Sequence, residues 1–251
     1  KTMHKIDIRF AILLAALGLS HAFSFTTFAV KGFGAIAYRS KQSSELFRTA
    51  STRKEDCKSP LTLKAVDGAA GPTKTALCVL AEGVEELEAV GPIDILRRAN
   101  VKVTTASLTS DLVVAGRNGI KIMADMDLDE AIRLGPYDAV IVPGGPPAVP
   151  AVGTLQRDAR LTKLLQDQKA ANRLLGSICA GPTVLHAAGV LGGAYTAHYS
   201  TRPVLPALDE ARPVVRDGMV ITSQGAGTSV DFGLALAEAL AGPAVRDEVA
   251  R

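Results

Sequence analysis

The stretch LLGSICAGP, residues 174–182, decides the fold of this chain, because an apolar run leads directly into a cysteine and then into Gly and Pro. It predicts a buried strand over residues 174–178, with Cys179 at its end and a helix beginning just after it. A tight turn from strand to helix projects a side chain out of the sheet, as in a nucleophile elbow, here with sulfur in place of the serine oxygen. N–H groups at the helix start favour a thiolate, so we expect a depressed pKa for this thiol.

The other cysteines suggest a different use. Cysteine is among the most buried residue types and often acts as a small apolar side chain, an interpretation that suits Cys78 inside its apolar run. With Cys57 the chain has three cysteines, too few and too scattered for a disulfide framework or a four-ligand zinc site. For Cys179 the position at the end of a strand favours chemistry, and the sequence predicts neither a metal nor a cofactor there.

Short apolar strands alternate with helical patterns from residue 73 onward, which predicts an α/β fold with a mainly parallel sheet covered by helices on both faces. In the helix that we predict over residues 86–99, the side chains Leu87, Val90, Ile93 and Leu96 recur at helical spacing. The remaining predictions are strands over 76–81, 101–106, 139–142 and 219–222, helices over 161–170 and 228–240, and a hairpin over 113–124 that turns at Asn118-Gly119.

Two other strand ends should lie near Cys179, because ligands of open α/β sheets bind where the carboxyl ends of neighbouring strands meet. One is the turn PGGPP at residues 143–147, and the other is AEGVEELE at residues 81–88. Glu85 and Glu86 are explained as charges that favour a helix N-terminus. Glu88 lies one turn inside the helix among apolar neighbours, so burial should raise its pKa and allow it to donate a proton to the thiol.

Four segments carry a resemblance to a known family: GVEELEAVGPIDILRRA (83–99), YDAVIVPGG (137–145), SICAGPTVL (177–185) and TSQGAGTSVDFGLALAEAL (222–240). In this order they resemble the DJ-1 branch of the DJ-1/PfpI superfamily, and the resemblance covers nearly all of residues 74–251. It implies a flavodoxin-like three-layer sandwich that forms a homodimer. A peptidase is disfavoured, because protease-like relatives place a histidine directly after the elbow cysteine and this chain has Ala180 there.

The same resemblance assigns roles to residues of this chain. Cys179 becomes the reactive nucleophile, Glu88 the protonated carboxyl bonded to it, and His198 the histidine that lines the pocket. Backbone N–H groups of Gly145 and Ala180, with Gly144 beside them, would form an oxyanion hole for charge that develops on a carbonyl oxygen. The resemblance further implies that Arg98 and Arg117 hold an anion near the site.

The implied function is glyoxalase or deglycase chemistry on small aldehydes, linked to protection from oxidative stress and requiring no cofactor. The alternative is a redox-sensing or chaperone-like protein that acts through oxidation of Cys179, with little physiological catalysis.

The first 71 residues differ in composition from the rest. They hold 11 Lys and Arg against 5 Asp and Glu, whereas residues 72–251 hold 17 against 20. A nucleic-acid binder concentrates positive charge on its folded domain, so nucleic-acid binding is excluded. We therefore divide the chain into a leader with linker (1–71) and a domain (72–251).

The leader resembles a targeting sequence. A basic start, the apolar run over 10–19 and small residues at 20–22 are typical of a signal peptide, and the acid-poor stretch over 23–64 is typical of a transit peptide. The two together indicate secretory-route or plastid-like targeting; the alternatives are an ordinary amphipathic presequence or an upstream extension of a cytoplasmic protein. The apolar run is about half the length needed to span a bilayer, so we expect no stable membrane insertion of the domain.

Overall fold

The computed structural model describes residues 72–145 and 150–251, and the leader interpretation falls outside these residues. The strands are β1 (Thr75–Leu80), β2 (Lys102–Ser107), β3 (Val113–Ala115), β4 (Lys121–Met123), β5 (Met126–Asp127), β6 (Ala139–Val142), β7 (Leu174–Ile178), β8 (Val214–Asp217) and β9 (Val220–Ser223). The helices are α1 (Glu86–Arg98), α2 (Leu128–Leu134), α3 (Pro150–Arg157), α4 (Ala159–Ala170), α5 (Pro182–Ala187), α6 (Ser229–Ala241) and α7 (Pro243–Val249).

Seven strands form one sheet in the order β5-β2-β1-β6-β7-β9-β8, and β3 pairs with β4 in a separate hairpin. All neighbours in the main sheet are parallel except β8 and β9. From β1 the chain moves outward to β2 and later returns to β6 on the other side of β1. Strand order therefore reverses between β1 and β6, and this is the place where sheets of this kind bind ligands, at the carboxyl ends of their strands.

The core consists of two apolar layers, one on each face of the sheet. Ile141 of β6 points into the layer that α1 and α6 cover, where Leu96 and Phe232 are buried. Val140, which directly precedes Ile141, points to the opposite face of the sheet, into the layer that α4 covers with Leu161. Because β6 is buried on both faces, it reads as a continuous apolar run. The predicted three-layer α/β sandwich is confirmed.

The apolar face of α1 differs from the prediction. Ile93 and Leu96 are buried, but Leu87 is 61% exposed and Val90 is 47% exposed. The helix instead packs on α6 through small residues: a methyl group on Gly91 would lie 3.1 Å from the Cβ atom of Ser229. This close approach turns α1 so that Leu87 and Val90 face away from the core.

Predicted bounds of β6 and β7 agree with the structure, and the other predicted elements shift by one or two residues. Sequence reasoning missed β5, β8, α2, α3 and α7. Within the described ranges, the structure contains no helix that is both long and apolar enough to cross a membrane.

Candidate active site

Cys179 lies at the carboxyl end of β7, in the sharp turn that leads to α5. Its φ is 62°, a left-handed conformation that side chains other than glycine rarely adopt. The turn is held on both sides, because the Cys179 N–H donates to the Ser223 carbonyl at 2.9 Å and the Cys179 carbonyl accepts from the His198 N–H at 2.9 Å. The residue remains partly exposed. The predicted elbow is therefore present, with its side chain directed out of the sheet.

Glu88 brings a carboxyl to the sulfur from the first turn of α1. Its side chain is 1% exposed. Glu85 caps the helix and accepts from the Glu88 N–H at 2.9 Å, which fixes the backbone at this position. At the end of β6 the Gly144 N–H donates to Oε2 of Glu88 at 3.1 Å. A side-chain hydrogen bond joins the Glu88 carboxyl to the Cys179 thiol.

Burial raises the pKa of Glu88 to about 7, against the lowering effect of its hydrogen bond to Cys179. The direction agrees with the sequence-based expectation. A carboxyl with a pKa near neutrality is present in both its protonated and ionised forms at neutral pH, and it can therefore act as a proton donor and as a proton acceptor.

The expectation that the pKa of the Cys179 thiol is depressed is wrong for the thiol placed beside Glu88 as it is in the structure. Burial raises the pKa of Cys179, and the Glu88 carboxylate raises it further, whereas the Ala180 N–H lowers it. The physical reason is that burial and a neighbouring negative charge both disfavour a thiolate. Proton transfer from sulfur to Glu88 within their hydrogen bond leaves the pair with a single negative charge, so the pair titrates as a unit.

His198 and Gly225 border the same space. A methyl group built on Gly225 would lie 3.7 Å from Cδ2 of His198, 3.8 Å from Oε1 of Glu88 and 4.0 Å from the sulfur of Cys179. These three groups therefore surround a space that remains open because residue 225 has no side chain. Nδ1 of His198 lies 2.8 Å from the Ser200 hydroxyl, and burial lowers the pKa of the imidazole.

The structure separates the two predicted arginines. Arg117 in the β3–β4 hairpin lies close enough to Glu88 and His198 for its positive charge to lower the pKa of both. Arg98 lies at the other end of α1, ten residues from Glu88, which is about 15 Å along a helix. Its guanidinium approaches Asp94 at 4.0 Å. Within a single chain Arg98 therefore does not reach this site, and its proposed role in holding an anion stays a prediction.

The three predicted oxyanion groups have different surroundings. The Ala180 N–H forms a hydrogen bond with the sulfur. The Gly144 N–H is engaged by Glu88, so it positions the carboxyl and is not available to a substrate oxygen. A methyl group at Gly144 would collide with Oε2 of Glu88 at 2.6 Å and with Cβ of Cys179 at 2.7 Å, so this approach requires glycine. Gly145 follows it and is buried.

A cleft with a volume of about 450 Å³ opens beside His198 and Gly225, and Tyr199, Glu210 and Gln224 also line it. Such a volume suits a small organic ligand. Sequence reasoning explained the run after β9 as a helix entry and missed the role of Gly225. The signal was available, because this glycine lies two residues after the end of β9, the strand that pairs with β7, whose end leads to Cys179. No cluster of possible metal ligands occurs among the residues described.

The model of the DJ-1/PfpI family matches residues 74–239. A zebrafish protein named Parkinson disease protein 7 homolog is 40% identical over 182 residues, which are 70% of this chain and 94% of that protein. A glutathione-independent glyoxalase of Caenorhabditis elegans is 34% identical over 176 residues, 68% of this chain and 90% of its own length. The crystal structure of Drosophila melanogaster DJ-1beta covers 71% of this chain and 96% of its own, with 36% identity and a TM-score of 0.67.

Proposed function

This chain belongs to the DJ-1/PfpI family, and from that premise we propose that it is a cysteine-dependent enzyme that detoxifies small reactive carbonyls of the glyoxal type without a cofactor. The observation that carries the proposal is the buried Glu88 carboxyl bonded to a partly exposed thiol on a left-handed elbow. The C. elegans relative named as a glutathione-independent glyoxalase supports the reaction class.

The first step is addition to an aldehyde such as methylglyoxal. The thiol proton passes to Glu88 as the sulfur attacks the aldehyde carbon, and the carbon–sulfur bond forms. The carbonyl electron pair moves to oxygen, which takes the proton from Glu88 and gives a hemithioacetal. N–H groups of Ala180 and Gly145 stabilise the oxygen while it is charged. The net charge of the site does not change in this step, because Glu88 passes the proton that it takes from the thiol on to the alkoxide.

The second stage moves hydrogen between the two carbons of the substrate. The ionised Glu88 removes the proton from the former aldehyde carbon, the electrons shift to the neighbouring carbonyl, and His198 protonates that oxygen to give an enediol. Protonated Glu88 then gives its proton to the second carbon while His198 takes the proton of the hydroxyl on the first carbon, which leaves a thioester and restores both side chains. By this hydrogen shift the former aldehyde carbon is oxidised and its neighbour is reduced. Water then cleaves the thioester, and the products are lactate, a proton and the restored Cys179 thiol.

Lactate formation from methylglyoxal tests the proposal directly. We expect turnover by the purified protein and none by Cys179→Ala, while Cys78→Ala is the matched control because Cys78 is fully buried in β1. Turnover by Cys179→Ala equal to that of the unmodified protein would contradict the proposal.

A second candidate function is redox sensing, and the partial exposure of Cys179 beside a proton-donating carboxyl favours it. Hydrogen peroxide would oxidise the thiolate first to a sulfenate and then to a sulfinate, with release of one water at each step. Protonated Glu88 would donate a hydrogen bond to a new oxygen. Intact mass after mild peroxide treatment tests this candidate, which fails if Cys179 gains no oxygen.

We also propose a homodimer, which the family resemblance implies. Leu87 and Val90 lie one turn apart on α1 and are both largely exposed. Association of two copies through this face would remove both side chains from water.

A further inference from the structure

Glu86 has a second role besides its charge at the start of α1. Its carboxylate lies inside the turn of the β3–β4 hairpin, where Oε1 accepts from the Asn118 N–H at 2.8 Å and from the Ile120 N–H at 3.2 Å. Oε2 accepts from the Asn118 side-chain amide at 2.9 Å. The residue is 4% exposed. These hydrogen bonds lower the pKa of Glu86 in spite of its burial, so the group inside the turn is an anion.

The turn is shaped around this carboxylate. A methyl group on Gly116 would overlap the Glu86 carboxyl, so a larger residue there would have to displace the carboxylate from the turn. The Gly116 N–H closes the turn by donating to the Ile120 carbonyl at 2.8 Å. The turn and the carboxylate therefore form one packed unit, and Glu86 joins α1 to the turn of the hairpin.

This unit carries Arg117, which stands between Gly116 and Asn118. The Arg117 N–H donates to the Val84 carbonyl at 2.9 Å, just before α1. The positive charge of its guanidinium lowers the pKa of Glu88 and of His198, which both border the open space at Gly225. Arg117 forms no ion pair with any residue in the described part of the chain.

We propose that Glu86 is a positioning residue for the proposed reaction: its buried carboxylate closes the Gly116–Ile120 turn and so fixes the Arg117 guanidinium where it faces the anions formed at Cys179. The ligand class is a small α-oxo or α-hydroxy anion, such as the enediolate or the carboxylate product. The inference rests on the proposed function. Glu86 itself touches no reacting atom.

Several charged groups surround the site and set its pH dependence. Glu85 on α1 raises the pKa of Glu88, and Arg117 from the hairpin lowers it. The coupled Cys179 thiol faces Glu88 from the end of β7, and His198 lies across the space at Gly225. Loss or displacement of Arg117 removes the positive charge from this set, so the pKa of Glu88 should rise.

The test compares Glu86→Gln, Arg117→Gln and the double variant. We expect both single variants to move the acidic limb of the kcat/KM profile to higher pH and to raise KM for methylglyoxal roughly tenfold. The double variant should show no further shift, because Glu86 acts through Arg117. Glu82→Gln is the matched control, since Glu82 also accepts from a hairpin N–H, that of Ala115 at 3.2 Å, and should leave the profile unchanged.

An unaltered pH profile in Glu86→Gln beside a shifted profile in Arg117→Gln would overturn the proposal, as would fully additive shifts in the double variant. Asn118→Ala is a milder variant that removes only the amide donor, and it should give a smaller shift in the same direction. Titration of the Glu88–Cys179 pair by thiolate absorbance needs no substrate. It tests the positioning role even if the unmodified protein lacks turnover, which would refute the proposed function separately.

Discussion

The Glu88 carboxyl and the Cys179 thiol form one buried hydrogen-bonded pair, in which burial raises the pKa of both groups. A carboxyl paired in this way can hold the proton that the sulfur must release. The thiol alone would be a poor nucleophile here, because burial disfavours its ionised form. Reactivity therefore belongs to the pair and depends on proton transfer between its members.

The first prediction concerns Glu88→Gln. The amide cannot accept and return a proton, so lactate formation should fall by roughly 10²- to 10⁴-fold, the usual contribution of general acid–base catalysis. The amide can still donate a hydrogen bond, so a sulfinate at Cys179 should remain partly stabilised. Steady-state kinetics and intact mass after peroxide treatment measure the two effects. Undiminished turnover would exclude Glu88 from proton transfer.

The second prediction is that Glu88 makes the fold less stable as pH rises. Its pKa is about 7 in the folded chain against an ordinary value of 4.5 for a glutamate in water. Between these values the folded state binds more protons than the unfolded state, so the contribution of Glu88 to the free energy of unfolding is complete below pH 4.5. It then declines by roughly 3 kcal/mol as pH rises through 7.

Glu88→Gln should remove this decline, so that the variant gains stability relative to the unmodified protein between pH 5 and pH 8. Urea unfolding at several pH values measures the difference. Glu130→Gln, at an exposed carboxyl in the first turn of α2, is the control and should leave the pH dependence unchanged. A pH dependence that is identical in Glu88→Gln and the unmodified protein would show that burial of this carboxyl costs no stability.

Local sequence determined the elements that build the elbow. The bounds of β6 and β7 could be predicted because both are short, fully buried runs that end at Pro143 and Cys179. β8 contains Arg216 and Asp217 and pairs at the antiparallel edge of the sheet, so its apolar pattern is weak. Nothing in its own four residues distinguishes it from a loop.

The positions of site residues could be predicted where they follow from the ends of the strands. Properties that depend on contacts between distant parts of the chain could not be predicted. Glu88 and Cys179 were found because strand ends meet at one edge of a parallel sheet. The direction of the thiol pKa was missed, because it depends on burial of the sulfur in the fold and on a carboxylate brought in from a different element. Arg98 lies away from the site of its own chain for a related reason: one helix places its two ends far apart, and only Glu88 lies at the end that faces the site.

The third prediction is that electrophiles and peroxide distinguish the two cysteines of the domain. Cys78 is fully buried in β1, and burial raises the pKa of its thiol to about 12. Cys179 is partly exposed and has an acid–base partner. We expect iodoacetamide to label Cys179 and to leave Cys78 unlabelled in the folded protein. Peptide mapping on a Cys57→Ser background measures this, and equal labelling would contradict the assigned burial.

The fourth prediction tests the homodimer. Leu87→Glu places a charge on the exposed face of α1 without disturbing the core. Because an unpaired charge is disfavoured in a buried interface, the variant should be a monomer where the unmodified protein is a homodimer. Light scattering after size-exclusion chromatography measures the mass. Leu134→Glu, at an exposed leucine of α2, is the control and should leave the mass unchanged. A single-chain mass for the unmodified protein would refute the dimer.

The last prediction uses the space at Gly225. Its φ of 163° is extended backbone that alanine adopts without strain, so Gly225→Ala should fold normally. The added methyl group would contact His198, Glu88 and Cys179 at ordinary van der Waals distances and occupy the place where a carbonyl carbon must approach the sulfur. We expect kcat/KM for methylglyoxal to fall by at least about tenfold, since a misplaced substrate loses the geometry of attack.

Gly227→Ala is the matched control, because a methyl group there meets no atom within 4 Å. Thiolate absorbance as a function of pH should be the same in both variants, since neither changes a charge. Equal absorbance would show that Gly225→Ala loses activity because the methyl group excludes substrate, and not because the titration of the Glu88–Cys179 pair has changed. If Gly225→Ala retained full activity, the carbonyl would have to approach the sulfur from another side, and His198 would lose its place in the proposed proton transfer.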